Sequence, residues 1–364
     1  MHFNSSLICW YDQYKRKLPW RDTSDPYRIW VSEVILQQTR VDQGLSYYHR
    51  FLDKFPDIGF LAESAPDEVM KVWQGLGYYS RARHMHEAAR DIYNNHSSRF
   101  PSSYKELIKL KGIGDYSASA IASIAFDEPS PVIDGNVLRV ISRYFGISEP
   151  VNSVKVKKQV KEILNGLIDQ KQPGTFNQAM MELGALVCLP NRPNCSDCPL
   201  NPGCFALRNK LAGSLPVVEK SKPKKVHYFN YMVFIGEDEE GPVTWLHKRI
   251  LPGIWRNLYD FPLIETPEEL PEEMLLSHPA FIEMTHGTFK AGSPLYVERA
   301  RHILSHKELQ VKFFIFHFSF FNFQPSTLKP KGYLKVKLND VHNYPVPRLI
   351  ENFLKKVDFD RVYF

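Results

Sequence analysis

The sequence predicts a multi-domain chain, all-α in its first part and α+β in its second, and three observations carry that prediction. Before Ser214, runs with helical spacing alternate with short polar or glycine-rich breaks. Ser214 to Val226, SLPVVEKSKPKKV, then carries two prolines, four lysines and no helical period. Beyond it, Tyr228–Gly236, Val243–Lys248 and Gln310–Phe321 are aromatic-rich runs of strand character. The expected organisation is a helical domain over 1–213, a basic extended linker over 214–226 and an α+β domain over 227–364.

Composition bounds the function. A chain of 364 residues has room for two or three domains with proper cores, and an apolar fraction of 43% is that of a soluble globular protein. Lys and Arg number 46 against 40 Asp and Glu, a net +6 that suits a nucleic-acid partner without proving one. No apolar run approaches the roughly 20 residues of a membrane span, so no membrane role is expected. The N-terminus enters helix-like sequence at once, without a secretion signal or room for a long transit peptide. That predicts a cytoplasmic, bacterial protein.

In chain order, Leu7–Lys15 is an amphipathic opening helix that Leu18-Pro19-Trp20-Arg21 leaves. Arg28–Gln43 is expected to be one helix whose apolar residues, Ile29 to Val31 and Val34 to Leu36, cover most of its circumference. Glu33 sits inside that belt. Burial penalises a carboxylate and raises its pKa, which poises such a group as a general acid, although a buried Glu that only bonds a neighbour would look the same. Gln37-Gln38-Thr39 ends the apolar run with polar groups fit to wedge into a base stack or simply to close a helix. Asp67–Tyr93 supplies two more helices around Gly75–Arg83, where Gly, Tyr and Arg suit a backbone-contacting turn with Tyr78 available for stacking. A Tyr pair in a helical protein is as readily core.

Leu107 to Ser142 reads as helix, hairpin, helix. Ser103–Lys109 has helical spacing, Lys111-Gly112-Ile113-Gly114 breaks it, and Tyr116–Ala125 resumes. Two glycines allow close backbone approach with positive φ, and the unpaired N–H groups of the following helix suit a phosphate. Asp134 precedes Gly135, Asn136 and the helical run Val137–Ile141, where it would cap the helix. Such a hairpin serves equally as a plain DNA anchor.

Helices over Lys155–Gln170 and Asn177–Val187 lead into Cys188, Cys195, Cys198 and Cys204, spaced C-x6-C-x2-C-x5-C; these are four of the five cysteines. So tight a cluster favours a metal over a disulfide framework, with tetrahedral zinc and an iron–sulfur cluster both open on donor chemistry alone. Cys9, far from them, reads as an ordinary buried thiol. Asn352–Val357 closes the chain in or near a helix.

These features resemble known families. Leu107 to Ser142 resembles the helix-hairpin-helix DNA glycosylase superfamily, whose hairpin is followed by a Gly/Pro-rich loop and an essential Asp. The cysteine spacing is similar to the [4Fe-4S] loop of the endonuclease III family. The last part resembles a Nudix-like domain, with Leu251-Pro252-Gly253-Ile254-Trp255 through Asp260-Phe261-Pro262 at its Gly-rich entry. The metal-holding Arg-Glu-x-x-Glu-Glu helix is not matched: Glu268, Glu269, Glu272 and Glu273 lack the Arg and are interrupted by Pro271, so binding without hydrolysis is expected.

In order and spacing the whole chain resembles the adenine DNA glycosylases, which remove adenine mispaired with 8-oxoguanine. Endonuclease III is the rival reading, an oxidised-pyrimidine glycosylase/lyase. Its family has a Lys nucleophile where this chain has Tyr116, and without that amine a lyase loses its electron sink. Asp115 departs from the family's G-x-G-P-Y, and as a good N-cap it should still start the helix. The resemblance implies Glu33 as the acid that protonates the leaving adenine, Asp134 as the anion that stabilises or traps the oxocarbenium ion, Asn136 as its orienting partner and Tyr116 beside the sugar. It implies Trp20, Arg21 and Leu36 around the adenine, Gln38 and Tyr78 in the vacated stack, and Lys111, Gly112 and Gly114 on the DNA backbone. Arg301-His302-Ile303-Leu304-Ser305-His306 resembles the lesion-reading F-S-H loop, with Leu304 for Phe and with Ser305 and His306 as readers. The implied cofactor is a [4Fe-4S] cluster on the four cysteines. The implied partner of a monomer is double-stranded DNA holding an A:8-oxoguanine or A:G mispair. Glu33 and Asp134 must then open on one cavity that admits a purine.

Overall fold

A computed structural model describes residues 3–219, 223–285, 294–317, 332–357 and 359. The chain divides into two compact units, one made of 1–63 with 84–221 and the other of 64–83 with 222–364. The sequence reading has 64–83 in the helical domain; its polar side chains group it with the second unit. Asp67 takes Lys248 Nζ at 2.6 Å and the Tyr259 hydroxyl at 2.9 Å, and Gln74 Oε1 accepts from the Val346 amide at 3.3 Å.

The first unit is helical. Its core gathers Tyr11, Val140, Val160, Phe176, Met180 and Leu183. The helix Asp115–Phe126 is buried from Ser117 to Ser123, a stretch built of Ser, Ala and Ile. Small side chains let neighbours approach closely: a Cβ on Gly174 would lie 2.7 Å from the Ser123 carbonyl oxygen. Buried serines need partners, and Asn177 supplies them. Its Nδ2 donates to Ser123 Oγ and to the Ser130 carbonyl, both at 2.8 Å, while its Oδ1 accepts from the Val132 amide at 3.0 Å. This staple fixes the segment that leads to Asp134.

The expected helix Arg28–Gln43 is two helices, Pro26–Leu36 and Val41–Lys54. Gln37 is extended and Gln38 turns left-handed, with φ +57°. The second helix folds back on the first at Gly44, where a Cβ would lie 2.7 Å from Leu36 Cδ2. In the hairpin only Gly112 has positive φ, +75°, and a Cβ there would lie 2.4 Å from His84 Cβ. Gly114 is extended and is itself the N-cap. Asp115 therefore stands in the helix's first turn rather than at its cap, where its carboxylate accepts from the Tyr104 hydroxyl and lies 3.5 Å from Lys161 Nζ.

In the second unit the described residues form one mixed sheet: β1 (Lys225–Asp238), β2 (Gly241–Lys248), β3 (Tyr259–Asp260), β4 (Leu263–Thr266), β5 (Tyr296–Ile303), β6 (Lys307–His317) and β7 (Tyr333–Lys337). The order is β3-β2-β1-β6-β5, with β4 also on β1 and β7 on β2. β1 and β6 run parallel, and the other pairs are antiparallel. Met232, Phe234, Trp245 and Phe314 on one face pack with Phe281 of the helix Pro279–Thr285. On the other face, Tyr231, Phe313 and Phe353 stack in sequence at 5.1 and 4.0 Å, seating the helix Arg348–Lys356. β5 escapes a strand reading because YVERARHI is so charged; the Arg301–Glu308 fork, at 2.8 and 2.7 Å, ties it across to β6. The expected strand end at 318–321 lies outside the described residues. Of the acidic run, Glu269 meets Lys312 at 2.7 Å and Glu272 pairs with Arg299.

Candidate active site

Glu33, Tyr116, Asp134 and Asn136 open on one cavity of about 270 Å³ in the first unit. Trp20, Arg21 and Leu36 line it as well. Gln38, Lys111, Gly112 and Gly114 lie in the same unit outside that lining, and Tyr78, Ser305 and His306 lie in the second unit.

Each polar wall is set by its element. Glu33 is 6% exposed on the apolar helix Pro26–Leu36, and its Oε2 has no hydrogen-bond partner among the described residues. Burial pushes its carboxyl up to about 7; the Tyr116 hydroxyl and Arg21 oppose that shift, and the charge of Asp134 adds to it. Tyr116, in the first turn of Asp115–Phe126, directs its hydroxyl to Met181 Sδ at 3.6 Å. Burial and the nearby Glu33 hold its phenol well above the ordinary tyrosine range.

Asp134 caps the helix Gly135–Phe145. Its Oδ1 accepts from the Val137 amide at 2.7 Å and its Oδ2 from Asn136 Nδ2 at 2.9 Å. Those donors favour the anion, but burial outweighs them and the carboxyl lies above the usual aspartate value. The cap alone does not govern Asp134, and both site carboxyls are shifted upward. What distinguishes them is partners: Asp134 is held by two donors, whereas Glu33 Oε2 has none among the described residues.

Several wall and support residues are absent from the sequence reading. Glu182, 1% exposed in the middle of Pro173–Leu186, accepts from the backbone amide and guanidinium of Arg16 and from both terminal nitrogens of Arg21, at 2.6 to 2.9 Å. Burial would raise its pKa, yet these forks pull it down to about 2. A lone Glu within an apolar helix is the same signal that singled out Glu33, so the sequence contained it. Gly184 brings that helix against Asn136: a Cβ would lie 2.5 Å from Asn136 Cβ. Arg139 then ties Asn136 Oδ1 (2.8 Å) to the Gly184 carbonyl (2.8 Å) and to the Cys188 carbonyl (2.7 Å).

Cys188, Cys195, Cys198 and Cys204 carry free thiols and line one small pocket with the buried Arg143. Arg143 donates to Cys188 Sγ at 3.3 Å and to the carbonyls of Leu189, Pro190 and Leu215 at 2.7 to 2.9 Å. Among the described residues no group of three or more His, Cys, Asp or Glu is gathered to hold a single metal ion. The four thiols frame this shared pocket beside the buried Arg143 cation.

Nine non-glycine positions among the described residues carry left-handed backbone, and Gln38 at φ +57° and Tyr78 at φ +46° are two of them. Such conformations cost about 1–3 kcal/mol and persist where function or packing demands them. In the second unit β5 and β6 meet in a tight turn, closed by the Leu304 amide on the Lys307 carbonyl at 2.9 Å. It exposes Ser305 and His306, whose Oγ and Nδ1 lie 3.1 Å apart.

Residues 31–168 match the HhH-GPD superfamily base excision DNA repair proteins, and 230–356 match the NUDIX domain. The adenine DNA glycosylase of Buchnera aphidicola subsp. Schizaphis graminum is 31% identical over 357 residues, spanning 97% of this chain and 98% of that protein. The chain belongs to the adenine DNA glycosylase family. The mouse adenine DNA glycosylase is 44% identical over 222 residues, which cover 58% of this chain and 43% of the mouse protein. A solved thermostable thymine-DNA glycosylase superposes with a TM-score of 0.53 at 29% identity, over 57% of this chain and 95% of its own. As a member of this family the protein is a base-excision repair glycosylase that acts on DNA. Among the described residues no helix is long and apolar enough to cross a membrane.

Proposed function

We propose that this glycosylase hydrolyses the N-glycosidic bond of adenine opposite 8-oxoguanine or guanine in double-stranded DNA, without lyase activity. The observation that carries the reading is one cavity shared by a buried, part-unpaired carboxyl and a capped carboxylate. Adenine is a poor leaving group and must gain a proton as its bond to C1′ breaks. Glu33, with its carboxyl raised to about 7, is half protonated near neutrality and donates that proton. The sugar is left as an oxocarbenium ion, and Asp134, held by Val137 N–H and Asn136, supplies the opposing charge on its side of the bond. Tyr116 lines the cavity beside them and offers no amine for a Schiff base.

The base must leave the duplex to reach this cavity, which costs a few kcal/mol. Trp20, Arg21 and Leu36 receive it, Lys111, Gly112 and Gly114 hold the DNA backbone, and Gln38 and Tyr78 support the opened stack. In the second unit Ser305 and His306 read the lesion from the exposed β5–β6 turn. Two modules joined by the basic stretch 214–226 divide these tasks, with 64–83 belonging to the second, and the protein works as a monomer in the bacterial cytoplasm, on the nucleoid. Cys188, Cys195, Cys198 and Cys204 hold a [4Fe-4S] cluster, which when bound cross-links the 188–204 segment. A protein with four irons and broad absorption near about 400 nm supports that assignment; stoichiometric zinc in an anaerobic preparation overturns it.

Incubation with an adenine/8-oxoguanine duplex is expected to give an alkali-labile site on the adenine strand and no borohydride-trapped adduct. Efficient trapping on an abasic or thymine-glycol duplex would replace this reading with the endonuclease III-type one.

A further inference from the structure

A second cavity in the same unit adjoins the candidate active site. Its volume of about 230 Å³ is close to the 270 Å³ of the first. The two share a wall made of Arg16, Arg21, Ile124 and Gln178. Exposed Lys15, Lys17 and Asp127 line the second cavity and not the first. Nothing in the adenine-excision reading uses this space.

That reading, on which this inference rests, creates a need for it. A flipped nucleotide enters its pocket tethered to the DNA, so the mouth stays stoppered by the sugar and backbone for as long as the duplex is bound. Once the glycosidic bond breaks, the free purine is enclosed behind its own former sugar. The shared wall is unequal in strength. Arg16 and Arg21 are clamped by Glu182, but Gln178 is held by a single bond from the Tyr11 hydroxyl to its Oε1, at 2.6 Å. Ile124 is apolar and only part-buried. Arg21 lies over the Tyr11 ring at 5.5 Å, so flat groups on which a purine can stack adjoin the shared wall on the side of the second cavity.

We propose that the second cavity is an exit for the excised purine base, opened by displacement of Gln178, so that the neutral base departs while the enzyme still holds the abasic DNA.

The test uses a duplex carrying tritiated adenine opposite 8-oxoguanine under single-turnover conditions. Alkali-revealed strand scission reports bond cleavage, and passage of label through a filter that retains the protein–DNA complex reports base release. In the parent, label is expected in the filtrate at the rate of cleavage while the DNA stays on the filter. Thr175→Trp and Lys17→Trp place bulk at two different points of the second cavity, away from the first. Each is expected to leave cleavage unchanged and to slow base release by about tenfold, and unchanged cleavage certifies the fold. Label that leaves the parent only together with the DNA overturns the exit, as does release from both variants at the parent's rate. A parent that cleaves nothing instead overturns the adenine-excision reading.

Discussion

The cavity of the first unit and the β5–β6 turn of the second solve opposite problems. In the cavity, polar groups are withdrawn from water and fixed by the fold: Glu33 by an apolar helix, Asp134 by a cap and by Asn136, Glu182 by two arginine forks. At the turn, Ser305 and His306 stand in solvent on a tight backbone, with Oγ and Nδ1 3.1 Å apart. Bond breaking calls for displaced pKa values and fixed charge, which only burial provides. Reading a base calls for exposed donors that a partner can reach. Substitutions should therefore act on rate and stability in the first region and on discrimination alone in the second.

The largest effect is expected at Glu33. Glu33→Gln keeps the shape and removes the proton, so single-turnover excision should fall by about 10²–10⁴-fold while binding of an adenine/8-oxoguanine duplex persists. Excision at the parent's rate would strip Glu33 of its role. Next comes Glu182→Ala, which leaves Arg16 and Arg21 facing a vacated carboxylate site. Breaking a buried ion pair from one side costs about 3–5 kcal/mol, measurable by denaturant unfolding. An unchanged midpoint would make this cluster ornamental. Gly184→Ala drives a Cβ to within 2.5 Å of Asn136 Cβ. Overpacking of this kind costs about 1–3 kcal/mol, and because Asn136 holds Asp134, excision should slow beyond what the loss of folded protein explains. The smallest effect belongs to Ser305→Ala. Losing one hydrogen bond, worth about 1 kcal/mol, should narrow the preference for 8-oxoguanine over guanine several-fold while unfolding and adenine excision from an A:G mispair stay as they were. A drop in stability instead would make the turn a structural element.

The same contrast governs what the sequence disclosed. A glutamate inside an apolar belt, an aspartate before a helix and a glycine break are local signals, and the structure gathers Glu33, Asp134, Tyr116 and Asn136 around one cavity. What escaped is made by distance. Arg16 and Arg21, from the stretch that follows the first helix, meet Glu182 from 166 and 161 residues away, Asn177 staples a loop 45 residues away, and Arg139 reaches from Asn136 to the Cys188 carbonyl. Helix length was over-read at Arg28–Gln43 because periodicity does not register a left-handed Gln38, and β5 was missed because its strand character lies in cross-strand ion pairing rather than in apolar alternation. The direction of the Asp134 shift was also beyond sequence. Capping is written in the chain, whereas the burial that outweighs it is a property of the packed cavity.

The pH dependence of single-turnover excision on an adenine/8-oxoguanine duplex bears most directly on the buried acid. The Glu33 carboxyl is raised to about 7, so the proton-bearing form predominates below that pH and is lost as pH rises through it. The rate constant should hold steady on the acid side of neutrality and then fall by about tenfold per pH unit above it. A rate that stays level from about pH 6 to pH 9, or that climbs with pH as a general base would require, would contradict the assignment of Glu33 as the acid.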